Sequence, residues 1–154
     1  NCPAQIVVSG DASACDRLVQ AVEAGRGKAV KLKVAGAFHS PLMQPAAVRL
    51  QAALAAAPFR PARPPVLSNV LARAHGDADQ IRDRLQRQLC SPVRWQECIE
   101  RLIAEGVDEF VEIGPGRTLT GMMRKIDRSK NPTNVSTAES LEQFLAAHAA
   151  GSPS

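Results

Sequence analysis

The chain has 154 residues, 45% of them hydrophobic and 22% charged, enough for one hydrophobic core and too few for two, with no sign of a disordered or fibrous class. Five aromatic residues, Phe38, Phe59, Trp95, Phe110 and Phe144, are scattered along it and Tyr is absent, which leaves almost nothing from which to build a stacking platform for single-stranded nucleic acid. Nineteen basic against fifteen acidic residues give a net charge of +4, which permits an acidic partner without demanding one.

In chain order, Gln5 to Ser9 is a β-branched run that predicts a strand, and Gly10-Asp11 leads to apolar residues at Cys15, Leu18, Val19 and Val22, the spacing of one helical face. Gly25 and Gly27 stop that helix. Lys28 to Val34 then alternates, Val30, Leu32 and Val34 against Lys31 and Lys33, and reads as a strand with one solvated face. Ala35 to Pro41 is a turn, and Ser40-Pro41 suits a helix start carrying Leu42, Met43, Ala46, Leu50 and Leu54. A proline-rich loop, Pro58 to Pro65, precedes a short buried-type strand, Val66 to Leu71, and Gly76-Asp77 opens a helix with Ile81, Leu85 and Leu89 in register. Ser91-Pro92 repeats the serine–proline start for a helix with Trp95, Ile99, Leu102 and Ile103 on one face, ended by Gly106.

Phe110 to Ile113 is the next strand, Gly114-Pro115-Gly116 a tight turn, and Arg117 to Ile126 a helix that ends among Arg124, Lys125, Arg128 and Lys130. Ser136-Thr137-Ala138-Glu139 is a capping-box pattern before a last helix with Leu141, Phe144 and Leu145. Strands alternating with helices predict an α/β architecture with mainly parallel strands, and the half-solvated Lys28 to Val34 strand hints at a separate, more antiparallel subdomain.

Chemistry has few places to sit. Cys2, Cys15, Cys90 and Cys98 contain no C-x-x-C pair, so a metal site is not expected. No apolar stretch of about 18 residues and no charged-then-apolar leader occurs, which predicts a cytoplasmic protein with reduced thiols and no membrane association. The first residue is Asn rather than Met, which suggests a piece of something longer. His39 stands out, on a glycine-containing loop between a strand and a helix, where an imidazole is positioned by rigid elements and still faces solvent. Its plain alternative is an ordinary surface histidine; His75 and His148 have less favourable settings. Glu112 to Gly121 invites a phosphate-loop reading, but the Walker lysine is missing and Leu119 stands where a dinucleotide fingerprint needs its third glycine. A tight strand-to-helix turn explains those glycines better. No G-x-S-x-G nucleophile elbow is present.

Four segments nevertheless occur together and in order: Asn1-x-Pro3-x-Gln5-Ile6-Val7-Val8-Ser9-Gly10, Gly36-Ala37-Phe38-His39-Ser40-Pro41-Leu42-Met43, Gln88-Leu89-x-x-Pro92-Val93-x-Trp95, and Glu112-x-Gly114-Pro115-Gly116-x-x-Leu119-Thr120-Gly121. Over about residues 1 to 126 the chain closely resembles the C-terminal half of the bacterial malonyl-CoA:acyl carrier protein transacylase family. The resemblance implies malonyl transfer from coenzyme A to the phosphopantetheine thiol of acyl carrier protein through a serine ester, with a coenzyme A thioester as substrate and no further cofactor. It implies that His39 is the general base and that a carbonyl of Gln88 orients it, that Phe38 bears on malonyl selectivity, that Asn1, Gln5 and Thr118 lie near the coenzyme or acyl cleft, and that Arg124 and Lys125 meet the acidic carrier protein.

The family's Gly-His-Ser-x-Gly nucleophile, its oxyanion loop and its carboxylate-binding Arg are not found in this sequence. The chain alone is therefore expected to be inactive, supplying the base to an active site whose serine lies elsewhere, in a parent expected to be monomeric. The fold implied is part of an α/β-hydrolase-like core with part of an inserted ferredoxin-like subdomain: residues 1–35 in the small subdomain, 36–126 in the core, and 127–154 a tail with a helix. The rival reading is a non-catalytic module that binds acyl carrier protein or coenzyme A.

Overall fold

A computed structural model of the chain describes residues 1–149. It is a mixed α/β structure of two compact units, one formed by Ile6–Cys98 and the other by Asn1–Gln5 together with the chain from Ile99 onward.

In the first unit, helix α1 (Ala12–Ala24) starts at Asp11, whose carboxylate accepts from the N–H groups of Ser13 and Ala14. After Pro41–Met43, a single 3₁₀ turn, comes α2 (Gln44–Ala56). Ser40 caps that 3₁₀ turn, its hydroxyl accepting from Leu42 N–H, an arrangement worth about 1 kcal/mol, whereas α2 itself opens at Met43, later than the Ser40-Pro41 pattern suggests and with no side-chain cap. A two-residue hairpin, β1 (Leu67–Ser68) with β2 (Arg73–Ala74), lies within and just beyond the run expected to be one strand. Helix α3 (Ala78–Gln88) is capped by Asp77, packs on α2 and buries Ile81; truncating Ile81 to Ala costs about 2–5 kcal/mol.

Helix α4 (Trp95–Ala104) begins three residues after Pro92, later than the Ser91-Pro92 pattern predicts. Arg94 donates its N–H to the Asn69 carbonyl, which holds the preceding backbone out of the helix, while its own carbonyl accepts the first helical bond, from Cys98 N–H. The helix ends as expected at Gly106, where Val107 N–H reaches back to the Leu102 carbonyl.

In the second unit, β3 (Val111–Ile113), α5 (Thr118–Ile126) and β4 (Thr133–Val135) form a strand–helix–strand unit whose strands are parallel, with Glu112 opposite Asn134. The patterning of the sequence did not reveal β4. Helix α6 (Ala138–Ala149) follows. Its capping box falls one residue later than predicted: Ser140 N–H donates to the Thr137 hydroxyl, and the Ser140 hydroxyl accepts from Thr137 N–H.

Two expected strands do not form. Ile6, Val7 and Val8 are 52–85% exposed and Val30, Leu32 and Val34 are 60–68% exposed, and neither segment has a strand partner among the described residues. A β-rich sequence gains its stability from a neighbouring ladder. Without one, Lys28 to Val34 is joined to α1 through the Lys31–Asp16 ion pair.

Candidate functional site

The loop before α2 places His39. Its φ of +64° lies in the left-handed region, a conformation that costs a non-glycine residue about 1–2 kcal/mol. The end of α3 holds it there. His39 N–H donates to the Leu89 carbonyl at 3.0 Å, and ring Nδ1 lies 2.9 Å from the main-chain carbonyl of Gln88. A carbonyl can only accept, so Nδ1 carries the proton and Nε2 of the neutral ring keeps its lone pair. The Gln88 side-chain amide nitrogen lies 3.4 Å from Nδ1; two donors do not bond, and that amide donates instead to the Ser91 carbonyl, also at 3.4 Å. His39 itself is exposed. An imidazole with a fixed tautomer, an anchored Nδ1–H and an open Nε2 can take a proton and return it.

Phe38 is 45% exposed, its ring beside Gly36. A groove of about 220 Å³ runs along α2 and α3, walled by Gln44, Ala47, Arg87, Cys90 and Ser91; His39 does not line it. Of the other histidines, His75 is half-buried, and burial, aided by the Arg84 charge, pushes its pKa down.

The remaining candidates lie in the second unit. Gln5 and Lys125 come together, Lys125 Nζ donating to Gln5 Oε1 at 3.4 Å. Arg124 Nη2 donates to the Asn131 side-chain oxygen at 2.9 Å. Both cations are exposed and bonded to neutral amides, unlike Lys130, Arg101, Arg87 and Arg82, each of which has a carboxylate partner. Asn1 is exposed beside the small Cys2–Gln5 turn, and Thr118 is exposed as the first residue of α5.

The turn before α5 is not open to a phosphate. Glu112, on β3, places its carboxylate over the helix N-terminus and accepts from Leu119 N–H, Thr120 N–H and the Thr120 hydroxyl at 2.6–2.9 Å. The Thr120 hydroxyl and N–H, followed by Leu119 N–H and the Arg117 charge, hold the Glu112 carboxyl below its ordinary range. The donors that would greet an anion are already taken. Gly114 and Gly116 have φ of +131° and +88°, which explains them as backbone requirements of the turn. Asn134 ties the turn down by donating to the Gly116 carbonyl at 2.8 Å. Sequence reading missed Glu112 as a cap and Leu89 as an anchor. The serine, aspartate and asparagine pattern that marks a helix start is absent at Arg117, and a carbonyl anchor has no residue-type signature.

Comparison with known proteins agrees with the motif reading. The profile described as acyl transferase domain matches residues 1–144. The chain belongs to the acyl transferase domain family. Among its relatives in that family, the malonyl CoA-acyl carrier protein transacylase of Bacillus subtilis is 45% identical over 143 residues, covering 92% of this chain and 45% of the relative. A solved acyl carrier protein S-malonyltransferase of Vibrio cholerae superposes with a TM-score of 0.83 at 37% identity, over 88% of this chain and 44% of that one. A malonyl-transacylase solved in complex with its type II PKS acyl-carrier protein gives a TM-score of 0.85 at 37% identity, over 90% of this chain and 45% of that one. The chain therefore spans about half the length of the relatives it matches. Among its described residues, no helix is long and apolar enough to cross a membrane and no cluster of three His, Cys, Asp or Glu could hold a metal ion.

Proposed function

We propose that this chain is the base-bearing part of a malonyl transferase, which moves a malonyl group from malonyl-CoA to the phosphopantetheine thiol of acyl carrier protein through a serine ester. The serine belongs to a part of the parent protein that this sequence does not contain. His39 Nε2 takes the serine proton as the hydroxyl attacks the thioester carbonyl and passes it to the departing thiol; in the second half-reaction it deprotonates the carrier's thiol and the proton returns to serine. The neutral Gln88 carbonyl orients the ring without adding charge, in the place a carboxylate occupies in other triads. Phe38 walls the acyl end, and Asn1, Gln5 and Thr118 bear on the coenzyme and acyl cleft. Arg124 and Lys125 meet the acidic carrier. Without the serine the isolated chain is inactive, since base and orienting group act only through the nucleophile.

In the parent, residues 1–35 belong to a ferredoxin-like insert and residues 36–126 to an α/β-hydrolase-like core, with 127–154 as a tail. The exposed apolar side chains at residues 6–8 and 30–34 support this reading, because segments of strand composition gain their stability from a neighbouring strand.

The observation that carries the proposal is the 2.9 Å contact from His39 Nδ1 to the Gln88 carbonyl, with no hydrogen-bond partner at Nε2 among the described residues. The decisive experiment measures malonyl transfer to acyl carrier protein by the full-length protein and its His39→Ala variant. A loss of about 10²–10⁴-fold is expected; near-normal transfer removes His39 from the chemistry.

A further inference from the structure

His39 occupies a left-handed backbone conformation, and its two bonds to the end of α3 hold it from one side only. On the other side stands Ser40, 3% exposed between an exposed His39 and an exposed Pro41. Its hydroxyl donates to the Ala37 carbonyl at 2.7 Å and accepts from Leu42 N–H at 3.3 Å, while its own carbonyl accepts from Met43 N–H at 3.0 Å. The Ala37 bond closes a loop around Phe38 and His39. Helix capping alone needs only the bond to Leu42; the shorter bond to Ala37 points backwards, across the strained residue, and does nothing for the helix.

We infer that Ser40 is a positioning residue for the imidazole: its buried hydroxyl bonds the Phe38–His39 turn to the 3₁₀ turn that leads into α2 and so keeps Nδ1 of His39 on the Gln88 carbonyl. This rests on His39 being the base. Ser40 touches no reacting atom and acts through the geometry of its neighbour. Removal of the hydroxyl lets the turn relax away from positive φ, the Nδ1–H bond lengthens, and the ring loses its preference for one tautomer.

The test uses the full-length protein with Ser40→Ala and Ser40→Thr, and two readouts. The first is the imidazole nitrogen spectrum of His39. The parent is expected to show the Nδ1–H tautomer, Ser40→Ala a mixture of tautomers, and Ser40→Thr, which keeps a hydroxyl, the parent pattern. The second is steady-state transfer: kcat of Ser40→Ala is expected to fall about tenfold to a hundredfold, with KM for malonyl-CoA within twofold of the parent. An unchanged imidazole spectrum in Ser40→Ala overturns the inference, as does a kcat within twofold of the parent. The spectrum is read whether or not the protein transfers malonyl groups, so failure of the functional proposal, seen as an active His39→Ala variant, is distinguishable from failure of this one.

Discussion

The group that meets His39 Nδ1 is the main-chain carbonyl of Gln88, at 2.9 Å, and not its side chain. A main-chain contact survives replacement of the side chain, provided α3 still ends in the same place. Gln88→Ala is therefore expected to keep transfer activity within about tenfold of the parent, since it loses only the 3.4 Å bond to the Ser91 carbonyl and contacts of that length are weak. Kinetics of Gln88→Ala beside His39→Ala check this. Equal losses in the two would assign the orienting role to the side-chain amide.

Glu112 caps α5 from the neighbouring strand, and its carboxyl is held below the ordinary value by the Thr120 hydroxyl and the N–H groups of Thr120 and Leu119. The charged form is favoured by folding, so the contribution is present above the ordinary carboxyl pKa of about 4.3 and fades as pH falls through the lower value of the folded protein. Glu112→Ala is expected to lower the melting temperature by a few degrees at neutral pH. The gap to the parent should close as the pH falls through the lowered carboxyl pKa of the folded protein. Melting curves across that range decide it; a gap that stays constant would assign the loss to packing.

His148 behaves with the opposite sign. Its Nδ1 faces the Phe144 carbonyl at 2.7 Å and its Nε2 the Glu109 carboxylate at 2.6 Å; both partners only accept, so the two bonds together require the charged ring. The Phe144 carbonyl first, then Glu109, push its pKa up. The stabilisation is complete below the ordinary value of about 6.5 and is lost as pH rises through the higher value of the folded protein. Replacement by His148→Gln is expected to destabilise at a pH below the ordinary histidine value of about 6.5, and the difference is expected to shrink as pH rises through the raised value of the folded protein, with hydrogen exchange along α6 as the local readout. A pH-independent difference would rule the ion pair out as its source.

Among the described residues, Arg124 and Lys125 bond to neutral partners, Asn131 and Gln5. A carboxylate makes charge-assisted bonds roughly twice as strong as an amide does, so an acidic carrier surface can displace both. Reversing both charges in the full-length protein is expected to raise KM for acyl carrier protein about tenfold or more and to flatten its salt dependence, with acylation by malonyl-CoA unchanged. Carrier titrations at low and moderate salt supply the measurement; a KM that does not move would place docking elsewhere.

Sequence patterning by itself located α1, α3 and α5 and the starts and stops set by Asp11, Ser40, Asp77 and Gly106, because capping and helical periodicity are local and the residues that create them lie within a few positions of one another. The motifs around His39 and Gly114 likewise carried the family. What the sequence could not decide was everything that depends on distant backbone. Gln5 to Ser9 and Lys28 to Val34 have strand composition but no ladder among the described residues, since a strand exists only with a partner. Thr133–Val135, with no strong alternation of its own, became β4 because β3 lies beside it. The tertiary structure alone chose the Gln88 main chain over its side chain as the group at His39, gave the α5 N-terminus to Glu112 rather than to a phosphate, and set Ser40 across the strained turn. Each of these is a contact made by a carbonyl, an N–H or a buried hydroxyl whose partner is fixed by how the chain folds back, and such groups leave little or no mark on residue type.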